Sequence, residues 1–184
     1  MRYPKDHNKA SRQRLVARAG SHAKKHGFNE SGMAALAAAA GVTTGALYTH
    51  FDGKADLFVA VVSAELERTA QMYGAIDPSD ATSVARSLTG YLSLPHIRHA
   101  EQGCPLPSLT AEVARADASV RAAFQVGVLD IHAMLQRLTG TSNAAWTLMA
   151  QNVGAVMLAR ALSDERHQKE LLSALRVAAE DLLD

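Results

Sequence analysis

Residues 37–58 read AAAAGVTTGALYTHFDGKADLF, and this stretch decides the fold of the first third of the chain. A glycine and the β-branched residues after it interrupt what would otherwise be one alanine-rich helix. Apolar residues spaced i, i+3, i+4 and i+7 predict a short helix over about 33–40. Thr43 or Thr44 can cap another short helix over about 45–50. The stretch therefore predicts two short helices joined by a tight glycine turn, which is a helix-turn-helix.

The composition is that of a globular helical protein. Of 184 residues, 48% are hydrophobic and 20% are charged, and the five prolines leave long stretches free to form helix. The single cysteine, Cys104, excludes an intramolecular disulfide framework and predicts a cytoplasmic protein. The first residues, MRYPKDHNK, lack the apolar segment of a signal peptide. The most apolar stretch, 143–159, contains polar side chains and predicts a buried helix, with no role for a membrane.

Charge is unevenly distributed along the chain. Residues 1–57 contain nine Lys/Arg and four Asp/Glu, a balance of +5, whereas the remainder has a balance of −4, which together give the net charge of +1. A basic first segment on an acidic body indicates an anionic partner for that segment. A solvated basic surface without a partner explains the same counts.

The residue types around the turn favour contact with double-stranded DNA. A sharp turn lets the second short helix lie across the first, so that its polar side can enter a major groove. Lys54 lies in the first turn of the next helix, where the helix dipole disfavours a cation unless an anion is nearby. A tyrosine packed beneath the helix is the alternative for Tyr48. The predicted DNA-contacting residues are Ser31, Gly32, Thr43, Thr44, Gly45, Tyr48, Thr49, His50 and Lys54.

The segment GFNESGMAALAAAAGVTTGALYTHFDGKADLF, residues 27–58, resembles the DNA-binding domain of the TetR (tetracycline-repressor) family of bacterial transcriptional regulators. The matching positions include Gly27-Phe28, the Ala-Gly-Val ending at Val42, the Gly-x-Leu-Tyr-x-His-Phe run over 45–51, and Lys-x-x-Leu from Lys54. Where the family usually has a threonine at the start of the first short helix, this chain has Gly32. The resemblance implies a repressor that binds DNA as a dimer.

The rest of the chain is predicted to be helical, so the fold class is all-α. Asp52 is expected to cap the helix that begins near Lys54, and Pro95 is expected to end a helix over about 82–94. We expect a three-helix DNA-binding domain over 1–54, with the helix-turn-helix at about 33–50. A helical domain over 55–184 would bind an effector and form the dimer. Two final helices, within about 143–183, carry enough apolar surface for a four-helix contact between two copies, as the resembled family implies. Such a homodimer would place two recognition helices about 34–36 Å apart.

Candidate ligand-binding residues are scattered through the second domain, and ordinary core packing is the competing explanation for most of them. They are Tyr91, Cys104, Phe124, His132, Trp146 and Gln151. Cys104 could be a thiol sensor, although a lone cysteine is more often a small buried apolar residue. The histidines at 96, 99 and 132 have no metal-ligand spacing, so neither a metal nor a cofactor is predicted.

Two functions are consistent with these observations. The first is a transcriptional repressor that binds a palindromic operator as a homodimer and is released by an unknown small-molecule effector. The second is an all-α enzyme or ligand-binding protein with a pocket in the second domain. The chain has no triad spacing, paired catalytic carboxylates or phosphate-binding glycine loop, and Glu112, Asp117 and Asp130 read as solvated helix residues. The sequence therefore favours a regulator that is not an enzyme.

Overall fold

The computed structural model describes residues 5–183, with side chains described from residue 9 onward. Residues 1–4, at the start of the first predicted domain, and residue 184, at the end of the second, lie outside the described range. Within that range the chain is helical and contains no strand, which confirms the all-α prediction. The helices are α1 (Lys5–His26), α2 (Met33–Ala40), α3 (Thr44–Tyr48), α4 (Lys54–Gly74), α5 (Ala81–Tyr91), α6 (Leu94–Arg98), α7 (Leu106–Val113), α8 (Ala118–Thr139), α9 (Ser142–Ala161) and α10 (Glu165–Glu180), with a 3₁₀ turn at Ala100–Gln102 between α6 and α7.

The long helix α4 is the central element, and it packs on both α8 and α1. Its apolar residues recur every three or four positions, so one stripe faces inward along the whole helix; they are Leu57, Phe58, Val61, Val62 and Leu66. Phe58 stacks on Phe28, the residue after the α1 C-terminal glycine, with ring centroids 4.1 Å apart. Because α4 shares its apolar stripe with both ends of the molecule, one core runs from α1 to α9.

The first three helices and the start of α4 form a compact head. Leu36 of α2, Leu47 of α3 and Phe51 after it are fully buried against the apolar face of α1. The head's core continues into the rest of the molecule through α4, so a boundary at residue 54 stays a prediction. The other helices pack around α8 and α9. None of the helices in the described range combines the length and the apolar character needed to cross a membrane.

Two local sequence predictions are wrong. Asp52 was expected to cap α4, but Gly53 is the N-cap residue, and the Asp52 N–H instead donates to Asp56 Oδ2 at 3.2 Å. Pro95 was expected to stop a helix running to Leu94. Instead α5 ends at Tyr91 and Pro95 lies in the first turn of α6, where proline is tolerated because its missing N–H would have no partner in the helix.

Candidate nucleic-acid interface

The turn between α2 and α3 is built on Gly41. Its φ of +76° lies in the left-handed region, which favours glycine because a Cβ is strained there. The Gly41 and Val42 N–H groups donate to the carbonyls of Ala38 and Ala37, both at 3.0 Å, and so close the end of α2. The Arg18 guanidinium of α1 donates to the Ala40 carbonyl at 3.1 Å. The turn is thus fixed from both sides.

The short helix α3 exposes one polar face. The Thr43 hydroxyl accepts from Ala46 N–H at 3.2 Å and caps the helix, as predicted, while Leu47 is buried beneath it. Tyr48 has 53% of its surface exposed, so it does not pack beneath the helix. The Thr49 hydroxyl donates to the Ala46 carbonyl, which leaves its methyl group and its oxygen lone pairs at the surface. Thr43, Gly45, Tyr48 and Thr49 are exposed, and Thr44 and His50 are partly exposed.

Three further predicted contact residues lie around this face in different ways. Gly32 is exposed and is the N-cap of α2, without a side chain to bond there. Ser31 is buried, and its hydroxyl donates to the Gly27 carbonyl at 2.7 Å, so this side chain points into the head. Lys54 Nζ donates to the Asn29 carbonyl at 2.8 Å and lies 5.5 Å from the centre of the Phe28 ring. The surrounding chain thus offsets part of the dipole cost at Lys54.

Sequence reasoning did not single out the α1 cations beside this face. The Arg12 guanidinium carbon lies 4.7 Å from the centre of the Phe51 ring, directly after α3. Together with Arg18 at the end of α2, it places two positive charges from α1 against the helix-turn-helix. Arg12 lies three residues after Lys9 and Arg18 six residues before Lys24, a spacing that shows only a basic helix, and the pairing of Arg12 with Phe51 depends on the fold.

A set of polar contacts ties the head to the remainder of the chain. The Glu112 carboxylate of α7 accepts from Phe28 N–H at 3.0 Å and from Asn29 N–H at 2.6 Å, so it is not the solvated residue that the sequence suggested. Lys24 Nζ donates to Glu65 Oε2 at 2.8 Å and to the Gly103 carbonyl at 3.0 Å. Gly20 permits this approach, because a Cβ there would lie 2.8 Å from Glu65 Oε1.

A cavity of about 660 Å³ opens beside this junction, between α4, α5, α6 and the 3₁₀ turn. Its size lies within the range of pockets that bind small molecules. The residues lining it are Arg68, Thr69, Met72, Ile76, Ser83, Arg86, Ser87, Gly90, Tyr91, Ser93, Pro95, His96, His99, Gln102, Gly103 and Cys104. Among the side chains described by the structure, no aspartate or glutamate lines this cavity.

His96 holds the inner wall of the cavity together. Its Nε2 accepts from the Cys104 N–H at 3.1 Å, so the proton is on Nδ1, which donates to the Tyr91 carbonyl at 2.6 Å. Burial lowers the pKa of His96 and favours this neutral ring. Burial also raises the pKa of the Cys104 thiol and that of the Tyr91 hydroxyl, so both are protonated at neutral pH.

The comparisons with known proteins agree with this geometry. Residues 13–61, which include α2, the turn and α3, match the family described as bacterial regulatory proteins, tetR family. Over these residues the chain is similar to the TetR family of bacterial regulatory proteins. The head therefore has the fold of a DNA-binding transcriptional regulator. No curated protein matches the sequence at a significant level.

Solved structures of TetR-type proteins share the fold over nearly the whole chain. NemR of E. coli in its reduced form is 21% identical, with 95% of this chain and 97% of that chain covered and a TM-score of 0.78. A TetR transcriptional regulator from Legionella pneumophila is 19% identical, with coverages of 93% and 96% and a TM-score of 0.75. A TetR-family regulator from Agrobacterium tumefaciens is also 19% identical, with coverages of 92% and 97% and a TM-score of 0.73.

The six predicted ligand-binding residues of this chain do not share one site. Tyr91 and Cys104 line the cavity. Phe124 packs against the core from α8, and Gln151 of α9 donates to the Leu175 carbonyl of α10 at 2.7 Å. His132 and Trp146 stack on each other at 4.3 Å between α8 and α9, with Trp146 largely exposed.

The last two helices, α9 and α10, expose an apolar face. On α9 and α10 the large exposed apolar residues are Trp146, Met157, Leu158 and Val177, and Leu162 follows α9. Ala150, Gly154 and Ala161 lie between them on α9, and a Cβ added at Gly154 would meet no atom within 4 Å. Small residues flanked by large apolar ones let another helix approach closely, so this face is suited to helix packing.

Proposed function

We propose that this protein is a cytoplasmic homodimeric repressor that binds a palindromic operator and leaves it when a small molecule occupies the cavity. The observation that carries the proposal is the outward face of α3 in a TetR-type head, with Tyr48 exposed and Leu47 buried. Such an arrangement presents hydroxyl, methyl and imidazole groups to the edges of bases and to phosphates.

The proposed DNA contacts are the accessible members of the predicted set. They are Gly32, Thr43, Thr44, Gly45, Tyr48, Thr49, His50 and Lys54. Ser31 contributes by packing inside the head, because its hydroxyl is bonded to Gly27 O. An ammonium group has three N–H donors, so Lys54 keeps donors for a phosphate after bonding Asn29. Arg12 and Arg18 add positive charge beside α3, where they would face the phosphates that border the DNA groove.

The proposed dimer forms through the exposed apolar face of α9 and α10. A symmetric contact there buries Met157, Leu158 and Val177 in one four-helix arrangement. Two heads held in this way can read successive major grooves, about 34–36 Å apart. A palindromic operator then matches the twofold symmetry of the protein.

Effector release is proposed to act through the wall of the cavity that touches α1. Lys24 Nζ donates to the Gly103 carbonyl, and the Ser21 hydroxyl donates to the Glu101 carbonyl at 3.1 Å. A molecule that moves the 101–104 segment therefore also displaces α1, which holds both short helices of the head. Release requires only that the molecule binds the displaced arrangement more tightly than the DNA-bound one.

We infer that the cavity binds its effector without turning it over. The Cys104 thiol is buried with a raised pKa, so it is a poor nucleophile. Both ring nitrogens of His96 are bonded to backbone groups, so this histidine is not free to act as a general base. A product that forms when the purified protein is incubated with a bound effector would contradict this inference.

Selection of genomic fragments on the purified protein, followed by footprinting, tests the DNA proposal. We expect a palindromic site and an affinity that falls by about 10³-fold or more between 50 and 200 mM salt, as about six to ten phosphate contacts require. A flat salt response, or the absence of any selected fragment at low salt, would rule the proposal out.

Tyr48→Ala tests the recognition helix directly. Because Tyr48 is exposed, its removal should leave the thermal unfolding midpoint unchanged and lower operator affinity by about tenfold, the loss of roughly one good base or phosphate contact. Thr89→Ala, at an exposed position on α5, is the control and should bind as the unmodified protein does. Equal operator affinities for the two variants would show that α3 is not part of the DNA interface.

A further inference from the structure

The face that α5 turns to the cavity is polar and cationic. Ser83, Arg86, Ser87 and Gly90 follow the spacing i, i+3, i+4 and i+7, and all four line the cavity, while Val84 and Leu88 on the other side are buried. Arg86 is exposed and makes no ion pair with any side chain in the described range. A guanidinium between two hydroxyl groups is a suitable receptor for a carboxylate or another planar anion.

The opposite wall of the cavity, on α4, also has an excess of positive charge. The Glu65 carboxylate lies behind this wall and accepts from Lys24 and from Arg68 through the same oxygen, at 2.8 and 2.9 Å. One carboxylate therefore faces two cations, which leaves one positive charge in excess. The Arg68 side chain is 49% exposed, so this positive charge is accessible from solvent. His99, which also lines the cavity, has its Nδ1 3.4 Å from Glu101 Oε1, and Glu101 itself is not among the described lining residues.

Apolar residues line the same cavity as these cationic groups. Met72 lies on α4 one turn after Arg68, Ile76 follows the end of α4, and Tyr91 also lines the cavity. Met72 leaves 48% of its surface exposed, so apolar area there is still available for a ligand. A molecule whose apolar part covers Met72 and Ile76 could place a terminal anionic group near Arg68 and Arg86, which line the same cavity.

We propose that the effector is an organic anion, with an apolar body on Met72 and Ile76 and a carboxylate or similar group on Arg86. This inference rests on the proposed effector cavity and adds the chemical class of its ligand. A cationic ligand would face Arg68 and Arg86 without a carboxylate among the described lining residues to pair with. A neutral molecule of the same shape would gain only the apolar contact.

Calorimetric titration of the DNA-free protein with two matched series tests the ligand class. The series are octanoate, octanol and octylamine, and 4-phenylbutyrate, 4-phenylbutanol and 4-phenylbutylamine. We expect the acid of at least one series to bind about tenfold more tightly than its alcohol and the amine not to bind. Equal affinities within both series, tighter binding of an amine, or no binding by either acid would overturn the proposal.

The variant Arg86→Gln locates the anionic group. It should reduce the affinity for the acid to that of the alcohol and leave the affinity for the alcohol unchanged. Arg115→Gln, at an exposed arginine outside the cavity, is the matched control and should bind the acid normally. An equal loss in both variants, or no loss in Arg86→Gln, would overturn the assignment.

Operator binding is measured separately with the ligand-free protein. If the operator is bound but the acids are not distinguished from their alcohols, the ligand class is wrong and the repressor function stands. If the acids are distinguished but no operator is found, the ligand class stands and the repressor function is wrong.

Discussion

Lys24 Nζ lies 2.8 Å from Glu65 Oε2 at the crossing of α1 and α4, and both residues are at least nine-tenths buried. Arg68 reaches the same carboxylate oxygen from the solvent side. Burial lowers the pKa of Lys24, and the Glu65 carboxylate opposes this shift by stabilising the charged ammonium. The ion pair thus connects the head to the cavity wall at Gly103, the position through which an effector would act.

Lys24→Met should destabilise the protein more than Arg68→Ala does. Removing the buried ammonium leaves Glu65 with only a half-exposed partner, and breaking a buried pair in this way costs roughly 3 kcal/mol. Arg68 is 49% exposed, so its loss should cost less than about 1 kcal/mol. Urea unfolding of the two variants measures the difference. Equal costs would mean that water screens Lys24 and Glu65 as it does a surface pair.

Replacing both Lys24 and Glu65 separates the desolvation cost of the two buried charges from the free energy of their attraction. The double variant Lys24→Met with Glu65→Met should be more stable than Lys24→Met alone, because no unpaired charge then remains in the interior. If the double variant is the less stable of the two, the destabilisation of Lys24→Met arises from altered packing and not from the isolated carboxylate.

Glu112→Gln tests the contact between α7 and the end of α1. The amide retains one acceptor oxygen but turns an N–H donor toward the second backbone N–H, so one of the bonds to Phe28 and Asn29 is lost. The expected cost is about 1 kcal/mol. Hydrogen exchange at the Phe28 and Asn29 amides should become faster. Asp130→Asn, at an exposed position on α8, should change neither quantity. If Glu112→Gln behaves like Asp130→Asn, Glu112 does not hold the head.

Leu158→Glu tests the proposed dimer face. Leu158 is 59% exposed, so a charge there should not unfold the protein, but it would be buried and unpaired in a contact through α9. Sedimentation at micromolar concentration should show a monomer. Leu129→Glu changes a similarly exposed leucine of α8 and should remain dimeric. A dimer in both variants, or a monomer in the control alone, would place the interface elsewhere.

The head could be predicted closely from its sequence because its signals are local. The bounds predicted for α2 are those observed, the left-handed Gly41 follows it, and Thr43 caps α3. A turn residue and a cap act within four positions of each other, so their spacing in the sequence is also their spacing in space. The exposed side of α3 follows from the same local pattern.

The cavity and the junction could not be predicted in this way. Lys24 and Glu65 each lie four residues after a buried position, Gly20 and Val61, but neither was predicted to be buried. Their pairing across 41 residues depends on how α1 crosses α4. The cavity likewise depends on the end of α5 at Tyr91, which the pattern around Pro95 placed three residues too late.

Protonation of His96 should make the protein less stable in mild acid. Its pKa is lowered by burial first, with further lowering by Arg160 and Lys24, while the bond to the Tyr91 carbonyl raises it. The unfolded chain therefore binds a proton at higher pH than the folded chain does. His96 contributes its full stabilisation above its unfolded pKa of about 6.5, and this contribution is lost as pH falls toward and through the lowered folded value. Protonating Nε2 also removes the acceptor for the Cys104 N–H.

His96→Gln removes the titration while leaving a side-chain oxygen that can accept from Cys104. The free energy of unfolding should fall more steeply between pH 7 and pH 5 in the unmodified protein than in His96→Gln. His22, whose pKa is also lowered by burial, is common to both proteins and cancels from the comparison, as do the carboxylates. Urea unfolding at half-unit pH intervals measures the two slopes. Parallel slopes would show that His96 does not control the acid stability of the cavity wall.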